Sequence, residues 1–150
     1  MKIAIGCDHA GFALKPDIAG VVLEMGHEVI DCGTNSTQRA DYPDYAFKAC
    51  ALVTAHQADR AILLCGSGVG MCVAANKIKG IRACVCHDTY SAHQAVEHDG
   101  LNTLCLGARI IGPETAKEIT RNFLNASFSN EDRHIARLHK VLEAERQHFK

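Results

Sequence analysis

Apolar residues along the chain gather into short runs separated by stretches with helical spacing. Ile3 to Cys7 is such a run and ends in Asp8-His9-Ala10-Gly11, which predicts a strand emptying into a polar loop. Leu14, Ile18, Val21, Val22 and Met25 then recur at helical intervals; Pro16 is tolerable only in the first turn, and Gly26 ends the helix. His27 to Cys32 predicts a second strand, and Gly33 to Pro43 a polar loop. Asp41-Tyr42-Pro43-Asp44 opens a helix that runs to about His56. Five consecutive apolar residues, Ala61 to Cys65, suit a central strand covered on both faces. That strand runs into Gly66-Ser67-Gly68-Val69-Gly70 and a helix from about Val69 to Ile78. Gly80 to His87 gives a fourth strand, Asp88 to His98 a helix, and Asn102 to Gly107 a fifth strand. Pro113 starts a helix ending near Asn125, with Ala116, Ile119, Phe123 and Leu124 on one side. A long terminal helix, Asn130 to Phe149, carries Ile135, Leu138, Val141 and Leu142 as its stripe.

Strands that alternate with helices imply right-handed crossovers and a parallel sheet covered on both faces. The expected fold is a three-layer α/β/α Rossmann-like arrangement, with a five-stranded parallel sheet and a long C-terminal helix, in one domain spanning residues 1–150. Ligands in such sheets bind beyond the carboxyl ends of the strands, where Asp8, His9, Cys65 to Gly70 and His87 fall. Three alternating glycines after a buried strand let the backbone turn tightly with its N–H groups converging. The following helix adds its positive end, which makes an anion cradle. Cys65 sits at the lip of that cradle. Helix N-termini favour thiolates, so Cys65 is the first candidate for a base or nucleophile.

Composition narrows the partners. A chain of 150 residues, 47% hydrophobic and 22% charged, suits one soluble globular domain, and a net charge of -1 leaves no basic footprint for nucleic acid or membrane. The start of the chain reaches Asp8 too soon for a secretory h-region, and no apolar run spans a membrane, so a cytoplasmic protein is expected. Eight cysteines are many, yet Cys7, Cys32, Cys50, Cys65, Cys72, Cys84 and Cys105 lie in or beside apolar segments, where free cysteine acts as a small core residue. Cys84-Val85-Cys86-His87 with His93 is compact enough to suggest a metal site. There is no CxxC pair, and strand alternation would put Cys84 and Cys86 on one face with His87 on the other, so no metal is expected. Arg133 and Arg137, four apart, share a helix face and either clamp one phosphate or form a solvated basic face.

Six segments together carry a likeness: Gly6-Cys7-Asp8-His9-Ala10-Gly11, Asp41-Tyr42-Pro43, Cys65-Gly66-Ser67-Gly68-Val69-Gly70, Ala74-Ala75-Asn76-Lys77, Gly80-Ile81-Arg82-Ala83 and Arg133-His134. In this order, over essentially the whole chain, they resemble the type B ribose-5-phosphate isomerase family. That family also includes isomerases of hexose 6-phosphates, such as galactose and allose 6-phosphate, and of some four-carbon sugar phosphates. The resemblance implies interconversion of ribose 5-phosphate and ribulose 5-phosphate through an enediolate, in the non-oxidative pentose phosphate pathway, without a cofactor. It implies Cys65 as the base, the Gly66, Gly68, Val69 and Gly70 amides with the Ser67 hydroxyl as the oxyanion site, and His98 as the ring-opening group. Asp8 would contact the ring and hydroxyls; His9, Arg133 and Arg137 would hold phosphate; Tyr42 and Arg109 would be further substrate contacts. Family members are dimers, or dimers of dimers, that share active sites, so isolated subunits should be inactive. Relatives usually read His-Asn-Asp-Ala-Asn where this chain has His98-Asp99-Gly100-Leu101-Asn102. Asp99 thus replaces an amide donor with a negative charge beside an anionic ligand, a change that bears on sugar preference.

Two functions of other classes fit the residues less well. A nucleotide- or flavin-binding module would use the glycines, but their spacing and their place after the third strand differ from the dinucleotide fingerprint, and no Gly-Lys-[Ser/Thr] is present. A thiol redox protein would use Cys65, but no resolving cysteine lies two or three residues away, and only Cys72 could come close on folding.

Overall fold

The computed structural model describes residues 1–149. Five strands, β1 (Lys2–Cys7), β2 (Glu28–Asp31), β3 (Arg60–Cys65), β4 (Ala83–Val85) and β5 (Thr103–Gly107), form one sheet in the order β2-β1-β3-β5-β4. Every pairing is parallel. The helices are α1 (Lys15–Glu24), α2 (Tyr42–Thr54), α3 (Val69–Ala75), α4 (Thr89–Asp99), α5 (Pro113–Asn125) and α6 (Asp132–His148), with a single 3₁₀ turn at Phe12–Leu14. This is the three-layer Rossmann-like arrangement that the alternation predicts.

Alternate strand residues divide the core. Ile3, Ile5, Ile62, Leu64, Leu104 and Leu106 pack beneath α1, α4 and α5, while Ala4, Ala61, Leu63, Cys65 and Cys105 meet α2 and α3. The second face is built from small residues. A Cβ on Gly6 would lie 2.8 Å from the Tyr45 carbonyl oxygen, so glycine at this strand position lets α2 sit close on the sheet.

Two elements are shorter than their sequence pattern. β4 covers Ala83–Val85 rather than Gly80 to His87, because Gly80 turns with a positive φ of 86° and β4 is an edge strand. α3 stops at Ala75 rather than Ile78, and Asn76 turns its side chain onto β4. Its Oδ1 accepts from Ala83 N–H at 2.9 Å and its Nδ2 donates to Ala83 C=O at 2.8 Å. The side chain thereby occupies the edge that a sixth strand would take. Since β4 ends at Val85, strand alternation does not carry on to Cys86: Cys84 is exposed and Cys86 buried, so the two thiols do not share a core face and Cys86 joins the core in place of Cys84.

Candidate active site

β1 and β3 end side by side, Cys7 opposite Leu64, and the loops beyond them build the cavity. Asp8 is buried, and its carboxylate accepts from Ala10 N–H at 2.9 Å and Gly11 N–H at 3.0 Å. The turn requires glycine at position 11, where a Cβ would fall 2.4 Å from the Leu64 carbonyl oxygen. Cys65 closes β3 and is 5% exposed. Gly68, at a φ of 79°, turns its N–H back onto Cys65 Sγ at 3.1 Å before α3 begins. That hydrogen bond fixes the sulfur between the end of β3 and the start of α3. Ser67 Oγ accepts from Val69 N–H at 3.3 Å, which leaves its own proton to donate outward.

Two further elements close the walls. The Tyr42 ring lies against Gly70, whose Cβ would come 2.9 Å from the ring. Past β5, Ala108 N–H donates to Cys65 C=O at 2.9 Å and Arg109 N–H to Gly66 C=O at 3.0 Å, so the Arg109 side chain lies across Gly66. His9 Nδ1 sits 3.2 Å from the Ala40 backbone, tied to the end of the polar loop. A cavity of about 390 Å³ opens among Asp8, His9, Tyr42, Cys65, Ser67 and Arg109, floored by Gly66 and Gly70 and edged by Ala10 and Ile110. Of the cradle residues, Gly68 is buried beneath this cavity and Val69 is exposed beside it.

His98, Asp99, Arg133 and Arg137 lie elsewhere. α4 runs back from the carboxyl edge and ends at Asp99, shortly before β5 starts at Thr103; nine rises of ~1.5 Å from Thr89 put His98 about 14 Å from that edge. There the His98 ring stacks on His134, centroids 4.0 Å apart at 27°. His98 Nδ1 is 2.8 Å from Gln94 Nε2, and Ser129 N–H ties the α5–α6 connection to Glu97 C=O at 2.9 Å. His134 is buried with Nδ1 2.6 Å from Ser129 Oγ and with Nε2 unpartnered; burial, then the neighbouring His98 and Arg133, pushes its pKa down. Arg133 Nε donates to Glu131 at 2.7 Å, while Asp99 and Arg137 are exposed. Within one chain, therefore, His9 alone of the residues expected to hold phosphate shares the cavity with the thiol, and His98, Arg133 and Arg137 do not meet it.

Residues 3–141 match the ribose/galactose isomerase family. The chain belongs to it.

Ribose-5-phosphate isomerase B of Escherichia coli (strain K12) is 44% identical over 146 residues, covering 97% of each chain. D-Erythrulose-4-phosphate isomerase of Pectobacterium atrosepticum is 44% identical over 129 residues, 85% of each. The solved structure of Clostridium thermocellum ribose-5-phosphate isomerase B superposes with a TM-score of 0.94 at 43% identity, covering 98% of this chain and 99% of that one. The chain is accordingly an aldose–ketose isomerase of sugar phosphates. Among its described residues, no helix is long and apolar enough to cross a membrane.

Sequence reasoning missed several parts of this isomerase's site. Ala10 and Ile110 edge the cavity, and the Ala40 backbone anchors His9, a contact across 31 residues that no local pattern carries. His134 was legible: it lies four residues before Leu138 and seven before Val141, on the helix face that the apolar stripe marks.

Proposed function

We propose that the chain interconverts D-ribose 5-phosphate and D-ribulose 5-phosphate through an enediolate, with Cys65 as the base. The observation that carries this reading is the Gly68 amide on Cys65 Sγ, in a cavity shared with Asp8, Ser67 and Arg109. In the aldose, the C2 proton passes to the sulfur, its electron pair becomes the C1–C2 double bond, and the carbonyl oxygen becomes an oxyanion. The Ser67 hydroxyl and the Gly66 and Gly70 amides are left for that developing charge, the Gly68 and Val69 N–H groups being held by Cys65 Sγ and Ser67 Oγ. A proton passes from the C2 hydroxyl to the C1 oxygen, the carbonyl forms at C2, and the carbon-bound proton returns from the sulfur at C1. Asp8, fixed by two loop amides, takes the ring and its hydroxyls; Tyr42 walls the sugar against Gly70, and His9 and Arg109 meet the phosphate end. The step is an internal redox change and calls on no cofactor.

His98 for ring opening and Arg133 and Arg137 for phosphate are then supplied by a second copy of the chain, because their own chain holds them at the far end of α4. The working unit in this reading is a homodimer or a dimer of dimers, each chain one domain, acting in the cytoplasm in the non-oxidative pentose phosphate pathway. Asp99 favours a second reading within the class, a hexose or tetrose phosphate as preferred substrate, and the Pectobacterium relative is named for a four-carbon sugar.

The test is the rate of ribulose 5-phosphate formation from ribose 5-phosphate by chelator-treated protein, with Cys65→Ala beside it. Fast conversion, lowered by at least ~10³-fold in the variant, is expected. Folded wild-type protein that leaves ribose 5-phosphate unchanged but converts a hexose or tetrose phosphate supports the second reading; equal rates for wild type and variant overturn Cys65 as base.

A further inference from the structure

β4 stops short of its neighbour. Thr103, Cys105 and Gly107 are the β5 residues that face β4: Thr103 N–H bonds Arg82 C=O at 3.2 Å, and Cys105 C=O accepts Cys86 N–H at 3.3 Å. At Gly107 the backbone ladder has run out, since the last paired residues are Val85 and Cys105. The Gly107 N–H, in a buried residue, needs an acceptor, and His87 Nε2 supplies it at 3.0 Å. An imidazole thus replaces the missing rung. To accept at Nε2 the ring must be neutral with its proton on Nδ1. Its backbone is pinned as well, because Asp88 caps α4 by accepting Ser91 N–H at 2.7 Å.

The peptide held in this way touches both halves of the cavity. Gly107 abuts the Ser67 peptide so closely that a Cβ would fall 2.7 Å from its carbonyl, and Gly107 C=O accepts the Ile110 and Ile111 N–H groups at 2.9 and 3.1 Å. That turn carries Arg109, whose own N–H bonds Gly66 C=O. We infer that His87 is a positioning residue: through Gly107 it fixes the Arg109 turn against the Gly66–Gly70 loop and so sets affinity for the phosphorylated substrate. The link to affinity rests on the function proposed above; the hydrogen bond and its effect on the turn do not.

Two variants separate acceptor from bulk. His87→Leu keeps the volume and removes the acceptor, whereas His87→Gln carries an amide oxygen to about the place of Nε2. With ribose 5-phosphate, His87→Leu is expected to raise KM about tenfold with a smaller change in kcat, and His87→Gln to stay within about twofold of wild type. Hydrogen exchange over residues 107–111 should quicken about tenfold in His87→Leu alone, with β1 and β3 amides unchanged. An unchanged KM and exchange in His87→Leu, or a Gln variant as impaired as the Leu variant, overturns the inference. Should wild type not turn over ribose 5-phosphate, the proposed function fails while the exchange contrast still decides the role of His87. Should His87→Leu not fold, ¹⁵N spectra of the wild-type ring decide: a proton on Nδ1 supports the assignment, and one on Nε2 overturns it.

Discussion

Cys72 on α3 and Cys7 at the end of β1 are the same residue type, yet their surroundings drive them in opposite directions. Burial pushes the Cys7 and Cys50 thiols up to about 11, and Cys86 to about 12, because a thiolate there loses its water. Cys72 is lowered to about 6, chiefly because the Cys105 thiol donates to it, with Asn76 Nδ2 3.5 Å away adding to the effect. Its alkylation by iodoacetamide should rise through pH about 6 and be level at neutral pH, as followed by peptide mass spectrometry, while Cys7, Cys50 and Cys86 stay unmodified in the folded protein. Cys105→Val should move the Cys72 profile upward by at least one unit, which slows alkylation about tenfold well below pH 6 and about twofold at pH 7. The sign for stability follows the same shift. A lowered folded value contributes stability that is full above the ordinary thiol range and is lost as pH falls through about 6. Sequence placed Cys7, Cys50, Cys72 and Cys105 near apolar runs, but Cys105 lies 33 positions from Cys72, and only the pairing of distant segments decides which sulfur is the acceptor.

At the scale of elements, the pattern located all five strands: β1, β3 and β5 are nearly all apolar because they are buried on both faces, while the edge strand β2 shows only as Val29 and Ile30 between charged residues. It overran at β4, an edge strand whose neighbours in sequence are also apolar but turn away. The Gly80 turn delays its start, and the Asn76 side chain holds its outer edge by bridging both backbone groups of Ala83. Asn76→Ala leaves those groups without the bridge and should cost about 1–2 kcal/mol of unfolding free energy, measured by urea denaturation with an unchanged slope. The four-residue segment around Asn76 was legible as a motif, but its task was not, since a side chain that caps an edge strand looks like any polar residue after a helix.

For the whole molecule, the decisive geometry is the separation of Cys65 from His98 along the length of α4. If a second copy completes each site, two inactive variants restore activity when mixed. Cys65→Ala and His98→Ala, unfolded together and refolded at equal amounts, should recover about a quarter of the wild-type rate. Half of the dimers are then mixed, and one of the two sites in each is intact. No recovery after verified subunit exchange would mean that each chain works alone. Val69, Val73, Tyr90 and Ile110 stay exposed on the single chain, as does Val141 on the α6 stripe, and a second copy gives such apolar surface a place to be buried.

The order of strands and helices, the parallel sheet, the glycine cradle at the end of β3 and the thiol at its lip were all determined by the sequence, because each depends on hydrophobic period or on backbone freedom within a few residues. Tertiary structure alone decided which loops meet. It set Tyr42 against Gly70, Arg109 across Gly66, Ala40 beneath His9 and His87 on the Gly107 amide, and it placed His98 with His134 at the opposite end of the sheet. Those contacts join residues far apart along the chain, where side-chain packing and the direction of each helix, rather than any local pattern, fix the distance.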